Sequence, residues 1–313
     1  MARAHCLVTG FAVADYAASA AGDSDDAYAA AFARLLTSFA RGFAALRLPA
    51  CVQMLGPVVP GATMSHGARV PGTSFELDPV TAAFNIGAMV GWLDGGDRAG
   101  CVPAGRSSDT LGAVFAVADY LARKAHQQGD RPRIVREMLA SMIKAQRIRE
   151  AIAEKGGAEN FAAAVVGVRV ASAAVAARLL GGGRAQIAAA AAQALVDGGE
   201  LPAHPEESAG ELGRRCAAAD ATSRGVRLAL RALAAADGDL PAAPSARAAL
   251  DFPPARGVVA AADLRRAAEM FAASVARHFD PRQAARILSR FADADALYGT
   301  PVDEFTALLV RNA

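Results

Sequence analysis

A glycine-rich stretch in the first third of the chain concentrates acidic and basic side chains. Asp94 and Asp97 are followed directly by Arg98, and Arg106 comes shortly after them. A carboxylate can accept or release a proton during a reaction, whereas a guanidinium stays protonated and binds carboxylates through its planar fork. A loop that carries such side chains and is held between two helices is a suitable place for chemistry. A solvated turn between two helices is the alternative interpretation.

The elements on either side of this stretch are predicted to be helices. Asp78 can cap the first helix and Pro79 suits its first turn, and apolar residues then recur at helical spacing as far as Trp92. A second apolar stripe begins at Leu111 and continues toward Lys124. The Asp/Arg stretch is therefore expected to be a loop held between two buried helices.

The rest of the sequence predicts an all-α protein. Residues 49–78 contain prolines and glycines without a sustained period and are predicted to be an extended, packed loop. No alternating β-branched run indicates a strand-rich domain. Ser24, Asp263 and Asp280 are predicted N-caps. Helical spacing of apolar residues predicts further helices within 7–14, 24–46, 130–156, 161–180, 186–196, 214–236, 263–275, 280–297 and 302–309.

Composition narrows the class of protein. The 313 residues suffice for one large domain or two ordinary ones, and 53% hydrophobic with 20% charged residues indicate a folded globular chain. Aromatic residues make up only 6%, so we expect helices to pack closely through alanine, with Phe and Leu supplying larger contacts. The net charge is only +2, and the basic residues are scattered among acidic ones. This pattern argues against nucleic-acid binding.

Membrane, metal and cofactor sites are not indicated. The apolar segment 161–180 is too interrupted to predict a membrane span, and we interpret the apolar start at Cys6–Ala14 as a first helix. The four cysteines lie far apart and suggest reduced thiols in a cytoplasmic protein. Because Gly181–Gly183 follows a predicted helix, it is not a dinucleotide motif. We therefore predict no cofactor and no metal.

A set of ordered runs distinguishes this sequence: 48–51, 55–57, 69–79, 82–89, 92–94, 108–109, 111–112, 170–172, 177–181 and 220–230. In these runs the chain resembles the 2-methylcitrate dehydratases of the MmgE/PrpD family of lyases. The resemblance implies a large all-α helical domain, which in the family faces a smaller α/β domain across the cleft that holds the site.

The end of the sequence also resembles the family's C-terminal end, from Ala276 to Phe305. It follows closely after the helix predicted to end near Ala236, so the family's small domain is expected to be absent. We predict a helical core at 1–236 and a proline-rich linker at 237–257 in place of the small domain. C-terminal helices at 258–313 would pack back on the helical core.

The resemblance further implies a reaction. The family removes water from a tricarboxylic substrate by taking a proton next to a carboxylate and assisting the departure of hydroxide, which needs a base, an acid and cations. Asp94 and Asp97 match family positions. Family threonine, histidine, histidine and lysine side chains fall at Arg98, Arg106, Ala164 and Arg214, respectively.

Two functions are consistent with these replacements. In the first, a diverged lyase uses Asp94 or Asp97 as its base on a small carboxylated substrate, by elimination, isomerisation or cyclisation. His204 could serve there as an additional acid or base, or simply face solvent. The substrate-binding residues would be Arg98, Arg106 and Arg214.

In the second, a non-catalytic helical homologue serves as a dimeric scaffold or as a partner subunit of a complete homologue. A homodimer is expected because the resemblance implies a self-association surface on the helical domain, to which segment 161–180 could contribute. His66 is predicted to be structural or on the surface. His126 and His278 are predicted to be cations near helix C-termini.

Overall fold

A computed structural model describes residues 2–19, 23–95, 109–156, 161–197, 210–243, 250–252 and 260–311. As predicted, these residues form an all-α fold. The helices are α1 (Ala2–Ala18), α2 (Asp25–Ala45), α3 (Pro49–Val52), α4 (Pro79–Gly91), α5 (Leu111–Gln128), α6 (Val135–Lys155), α7 (Phe161–Leu179), α8 (Arg184–Val196), α9 (Gly210–Leu233), α10 (Ala261–His278), α11 (Pro281–Phe291), α12 (Ala294–Tyr298) and α13 (Val302–Leu309).

The segment predicted to be an extended loop contains short regular elements. Helix α3 occupies its first residues, and strands β1 (Ala68–Arg69) and β2 (Glu76–Leu77) form a small antiparallel hairpin. The prediction missed this hairpin because two residues per strand are too few for an alternating pattern. Asn85 of α4 fixes the same segment, since its side chain donates to Gly56 O and accepts from Gly56 N.

Local capping signals were mostly correct. Ser24 accepts a hydrogen bond from Ala27 N, Asp78 accepts from Val80 N, and Asp280 accepts from Arg282 N. Asp263 is not a cap, because α10 begins at Ala261 and places Asp263 inside its first turn. Helix α9 also begins a turn earlier than predicted. The helix expected to close at Trp92 continues instead as a 3₁₀ turn, Trp92–Gly95.

One half of the fold is packed through small residues. Helix α9 contacts α4, α7 and α8, while α1 lies along α8. Their buried faces consist largely of alanine and valine. We call this group of helices, together with α5, the alanine region. Short side chains allow helix axes to approach closely, as the alanine-rich composition predicted.

The other half is packed through phenylalanine. Helix α10 lies against α2, and α13 contacts α5 and α6. The ring centroids of Phe39 and Phe115 are 5.3 Å apart at an interplanar angle of 88°, and those of Phe271 and Phe291 are 4.5 Å apart. We call the group formed by α2, α10, α11 and α13 the aromatic region. It holds the C-terminal helices against the N-terminal ones.

A buried ion pair joins this region to the hairpin and α5. Arg69 of β1 contacts both carboxylate oxygens of the fully buried Asp119, at 3.2 Å from Nε and 2.6 Å from Nη2. The Arg69 backbone N donates to the same carboxylate, and Nη2 also donates to Asp303 O of α13. Burial raises the pKa of Asp119, and the contacts from Arg69 oppose that rise.

His278 corrects one prediction, because it is not a cation at its helix end. Its ring is stacked on Phe43 with centroids 5.4 Å apart, and its Nε2 lies 2.7 Å from Gly72 O. Burial lowers the pKa of His278, and nearby Arg311 and Arg47 lower it further, while the Gly72 contact opposes the change. A neutral ring that donates to Gly72 O fits these surroundings. His126 does lie near a carboxylate, 3.5 Å from Asp303.

The described part of the predicted linker lies on the protein surface. Leu240, Leu250 and Phe252 are partly buried against the core, and the Phe252 ring is stacked on Tyr16 of α1 with centroids 4.1 Å apart. The division into a core, a linker and C-terminal helices stays a prediction.

Segment 161–180 forms the helix expected to be buried. This helix, α7, is long and apolar enough to cross a membrane, yet two-thirds of its most apolar stretch is buried inside the fold. That degree of burial is the pattern of a core helix. Within this helix, its first turns at 161–166 and Arg178 are partly exposed, so most of its later part is not available for self-association.

Candidate functional site

Most of the predicted site residues are outside the part of the chain that the structure describes. Asp97, Arg98, Arg106 and His204 lie outside the described residues, and the same is true of the side chains of Asp94 and Arg214. The backbone of Asp94 belongs to the 3₁₀ turn after α4, and that of Arg214 to the second turn of α9. The structure therefore describes the backbone at two of the predicted site residues, Asp94 and Arg214.

Helices α4 and α9 run in opposite directions, which brings the two described carriers to one end of the pair. Ser223 Oγ of α9 donates to Val80 O at the start of α4 at 2.9 Å. Further along α4, Gly87 lies so close to α9 that an added Cβ would be 3.0 Å from Ala219 Cα. The 3₁₀ turn containing Asp94 consequently contacts α9 near its first turns, where Arg214 lies.

Thr222 fixes the beginning of α5 against the same helix. It is fully buried, and its Oγ1 accepts a hydrogen bond from Ala113 N at 3.0 Å and lies 3.0 Å from Ser172 Oγ of α7. Gly112 allows this approach, because a Cβ there would collide with Ala83 O and lie 2.8 Å from Thr222 Cγ2. The segment 96–108 therefore starts and ends on helices that are packed against α9.

An ion pair fixes the end of α8 to α9. Arg224 holds both carboxylate oxygens of Asp197 at 2.7 Å, and Arg169 of α7 donates from Nε to Ala194 O. Hydrogen bonds from Arg224 lower the pKa of Asp197. Segment 198–209, which contains His204, leaves from this pair and returns at the first residue of α9.

Asp220 is a candidate proton carrier that sequence reasoning missed. Its side chain is exposed on α9, yet the surrounding protein displaces enough water to raise its pKa. Among the described residues no cation forms an ion pair with it. A carboxyl group with a raised pKa keeps its proton closer to neutral pH, as an acid catalyst requires. The signal available in the sequence was its position at the start of the 220–230 run.

Other positions singled out by the sequence lie apart from these contacts with α9. Ala164, where the resemblance places a family histidine, is half-exposed on α7 and cannot carry a proton. His66 is exposed in the segment before β1. Within the described ranges, no three His, Cys, Asp or Glu side chains are grouped closely enough to hold a metal ion.

Comparisons with known proteins match the part of the chain that carries the candidate site. The MmgE/PrpD N-terminal domain matches residues 12–249. The chain is 43% identical to 2-methylcitrate dehydratase of Salmonella typhimurium over 221 residues, which are 70% of this chain and 46% of that protein. It is 45% identical to the Cupriavidus necator 2-methylcitrate dehydratase over 197 residues, which are 63% of this chain and 41% of that protein.

A eukaryotic relative gives the same picture. The mitochondrial 2-methylcitrate dehydratase of Yarrowia lipolytica is 38% identical over 221 residues, which are 70% of this chain and 42% of that protein. The chain thus spans about half the length of the curated relatives it matches. The matched residues include α4, α5, α7 and α9, the helices that carry the candidate site. This chain belongs to the MmgE/PrpD family.

Proposed function

We propose that this protein is a diverged MmgE/PrpD-family lyase that acts on a small carboxylated substrate by proton abstraction. Asp94 or Asp97 serves as the base, and His204 exchanges a second proton. Elimination, isomerisation and cyclisation are each compatible with this step. Family membership and relatives named 2-methylcitrate dehydratase support the proposal. The substrate carboxylates are held by Arg98, Arg106 and Arg214.

The observation that carries the proposal is that described residues next to the candidate segments pack against α9. The 3₁₀ turn with Asp94 contacts α9, α5 begins beside Thr222, and Asp197, which precedes the His204 segment in the chain, is paired with Arg224.

Arginine stands where the family has a histidine and a lysine, and arginine is suited to binding a substrate and not to transferring protons. A guanidinium does not release its proton near neutral pH, so Arg106 and Arg214 cannot act as proton carriers. They can stabilise the negative charge that develops on a substrate carboxylate when the neighbouring C–H bond loses its proton. Proton transfer then falls to titratable side chains other than arginine. These are Asp94, Asp97 and His204, together with Asp220.

Proton exchange tests this proposal without knowledge of the final product. The protein is incubated in D₂O with a panel of di- and tricarboxylates, 2-methylcitrate included, and loss of the substrate C–H signal is followed by ¹H NMR. We expect exchange with at least one acid, its loss in Asp94→Asn or Asp97→Asn, and a higher KM in Arg98→Ala. Absence of exchange with every carboxylate would count against catalysis.

A non-catalytic helical homologue is the second candidate. The family histidine positions that Arg106 and Ala164 occupy favour it. In this case the protein acts as a homodimeric scaffold or as a partner subunit of a complete homologue. Light scattering of the purified protein, alone and mixed with a full-length relative, distinguishes a homodimer, a mixed complex and a monomer.

A further inference from the structure

Arg149 is a buried arginine whose surroundings leave part of its guanidinium without a partner. It lies on α6, and its side chain is 1% exposed. The aliphatic stem packs against α7 at Gly167, where an added Cβ would be 3.3 Å from Arg149 Cγ. A side chain at position 167 would therefore compete for the space that the arginine occupies.

The unpartnered atoms are Nε and Nη2, both fully enclosed. The Glu150 carboxylate lies 3.6 Å from Nη2, which is longer than a hydrogen bond, and it accepts a hydrogen bond from Gln146 Nε2 at 2.8 Å. Buried donors of a charged group are costly unless they are hydrogen-bonded. Arg149 thus has a structural requirement for an acceptor that the described residues do not supply.

The charge balance around Arg149 favours an anion over a water molecule. Arg34 of α2 donates to Gln146 Oε1 at 2.5 Å. Burial lowers the pKa of Arg34, which Glu150 raises and Arg149 lowers further. Within the described ranges, both guanidinium groups interact with the same carboxylate, that of Glu150. A neutral water would satisfy a donor but would leave the excess positive charge uncompensated.

Other arginines in the same fold show what these two nitrogens bind. Arg69, Arg184 and Arg224 each place Nε and Nη2 on the two oxygens of one carboxylate. Their distances range from 2.5 to 3.2 Å. The unpartnered pair on Arg149 is the same fork, which matches carboxylate geometry.

We propose that Arg149 is a binding site for the carboxylate of a small ligand, enclosed between α6 and α7. The ligand accepts hydrogen bonds from Nε and Nη2, and Arg34 adds a second positive charge nearby. This site uses none of the residues assigned to the lyase reaction and does not rest on the proposed function. Its occupation needs no turnover, so it can be measured on the folded protein alone.

Acetate is the probe for this site. Thermal unfolding is followed in sodium acetate and in sodium chloride at equal ionic strength. We expect acetate to raise the unfolding midpoint saturably beyond the chloride effect, and ¹³C-acetate NMR to show binding to the folded protein. A midpoint that responds equally to the two salts would overturn the proposal, as would a crystal structure with Glu150 turned onto the fork.

Three variants assign the response to Arg149. Arg149→Met should remove the acetate effect while folding at least as stably in its absence, because an unpaired buried charge is replaced by an apolar chain. Arg149→Lys keeps the charge but loses the fork, and should weaken acetate binding about tenfold. Arg227→Met removes the same charge from an exposed position of α9 and should leave the response intact. Retention of the acetate effect in Arg149→Met would refute the assignment.

Discussion

Polar groups at the junction between the hairpin and helices α5 and α10 differ from two polar groups on α9 and α6. At the hairpin junction, Asp119 is enclosed but paired with Arg69, and His278 contacts a backbone carbonyl. On α9, Asp220 has a raised pKa without an ion-pair partner among the described residues, and on α6 two nitrogens of the buried Arg149 guanidinium have no hydrogen-bond partner. Satisfied polar groups hold elements together, whereas incompletely satisfied ones remain available for ligands and protons.

The largest expected effect concerns the buried pair of Asp119 and Arg69. Asp119→Ala should lower the free energy of unfolding by about 3–5 kcal/mol, because it leaves Arg69 buried without its carboxylate. Urea denaturation measures the loss. Glu269→Ala removes an exposed carboxylate from α10 and should change stability by less than about 0.5 kcal/mol. Equal effects of the two substitutions would contradict the role given to the buried pair.

Thr222→Val tests whether the alanine region depends on its few buried hydrogen bonds. The substitution keeps the shape but leaves Ala113 N and Ser172 Oγ without their partner, at a cost of about 1–3 kcal/mol. Denaturant unfolding of Thr222→Val beside Thr222→Ser, which keeps the hydroxyl, separates hydrogen bonding from packing. If the serine variant loses as much stability as the valine variant, the packing of the Thr222 methyl group matters more than its hydrogen bonds.

His278 makes the junction between α10 and the hairpin sensitive to pH. Its pKa is lowered in the folded protein, so the unfolded chain binds a proton first as pH falls, and the free energy of unfolding decreases below about pH 6.5. His278→Gln should reduce the stability lost between about pH 7.5 and about pH 5.5. His126→Gln, an exposed histidine, is the control. An unchanged pH dependence in His278→Gln would place the sensitivity elsewhere.

Asp220→Asn should have the smallest effect on stability and a selective effect on activity. Because the pKa of Asp220 is raised, its ionised form is disfavoured in the folded protein. The Asn variant should therefore be equally or slightly more stable near neutral pH, within about 0.5 kcal/mol. If Asp220 donates a proton, proton exchange should fall in this variant, and the wild-type rate should fall as pH rises through the raised pKa. If kcat and its pH profile are unchanged in Asp220→Asn, Asp220 plays no part in proton transfer.

Sequence patterns were sufficient where the interaction is local. The Ser24, Asp78 and Asp280 caps each join residues two or three positions apart, so their residue types and spacing predicted them correctly. Asp263 was assigned wrongly because acidic residues also favour the first turn of a helix, one or two positions inside the cap. The resemblance identified the family and the all-α class, since long ordered runs carry more information than a short motif.

Features that join distant parts of the chain were beyond the sequence. Asp119 meets Arg69 only because the hairpin folds onto α5, and nothing in the spacing of the two residues predicts it. The raised pKa of Asp220 likewise depends on what surrounds α9. Arg149 was not singled out at all, because an arginine on an amphipathic helix usually faces solvent.

The sequence alone determined the family, several caps and most of the helices, although the single helix predicted over 280–297 is two helices and the short helix Pro49–Val52 was missed. These features depend on side chains close together along the chain or on long ordered runs. The tertiary structure decided which polar groups are buried, which are paired and which are left open. Burial and pairing depend on helices that meet in space. Desolvation by neighbouring residues raises the pKa of Asp220, and the packing of α6 leaves Nε and Nη2 of Arg149 without an acceptor among the described residues.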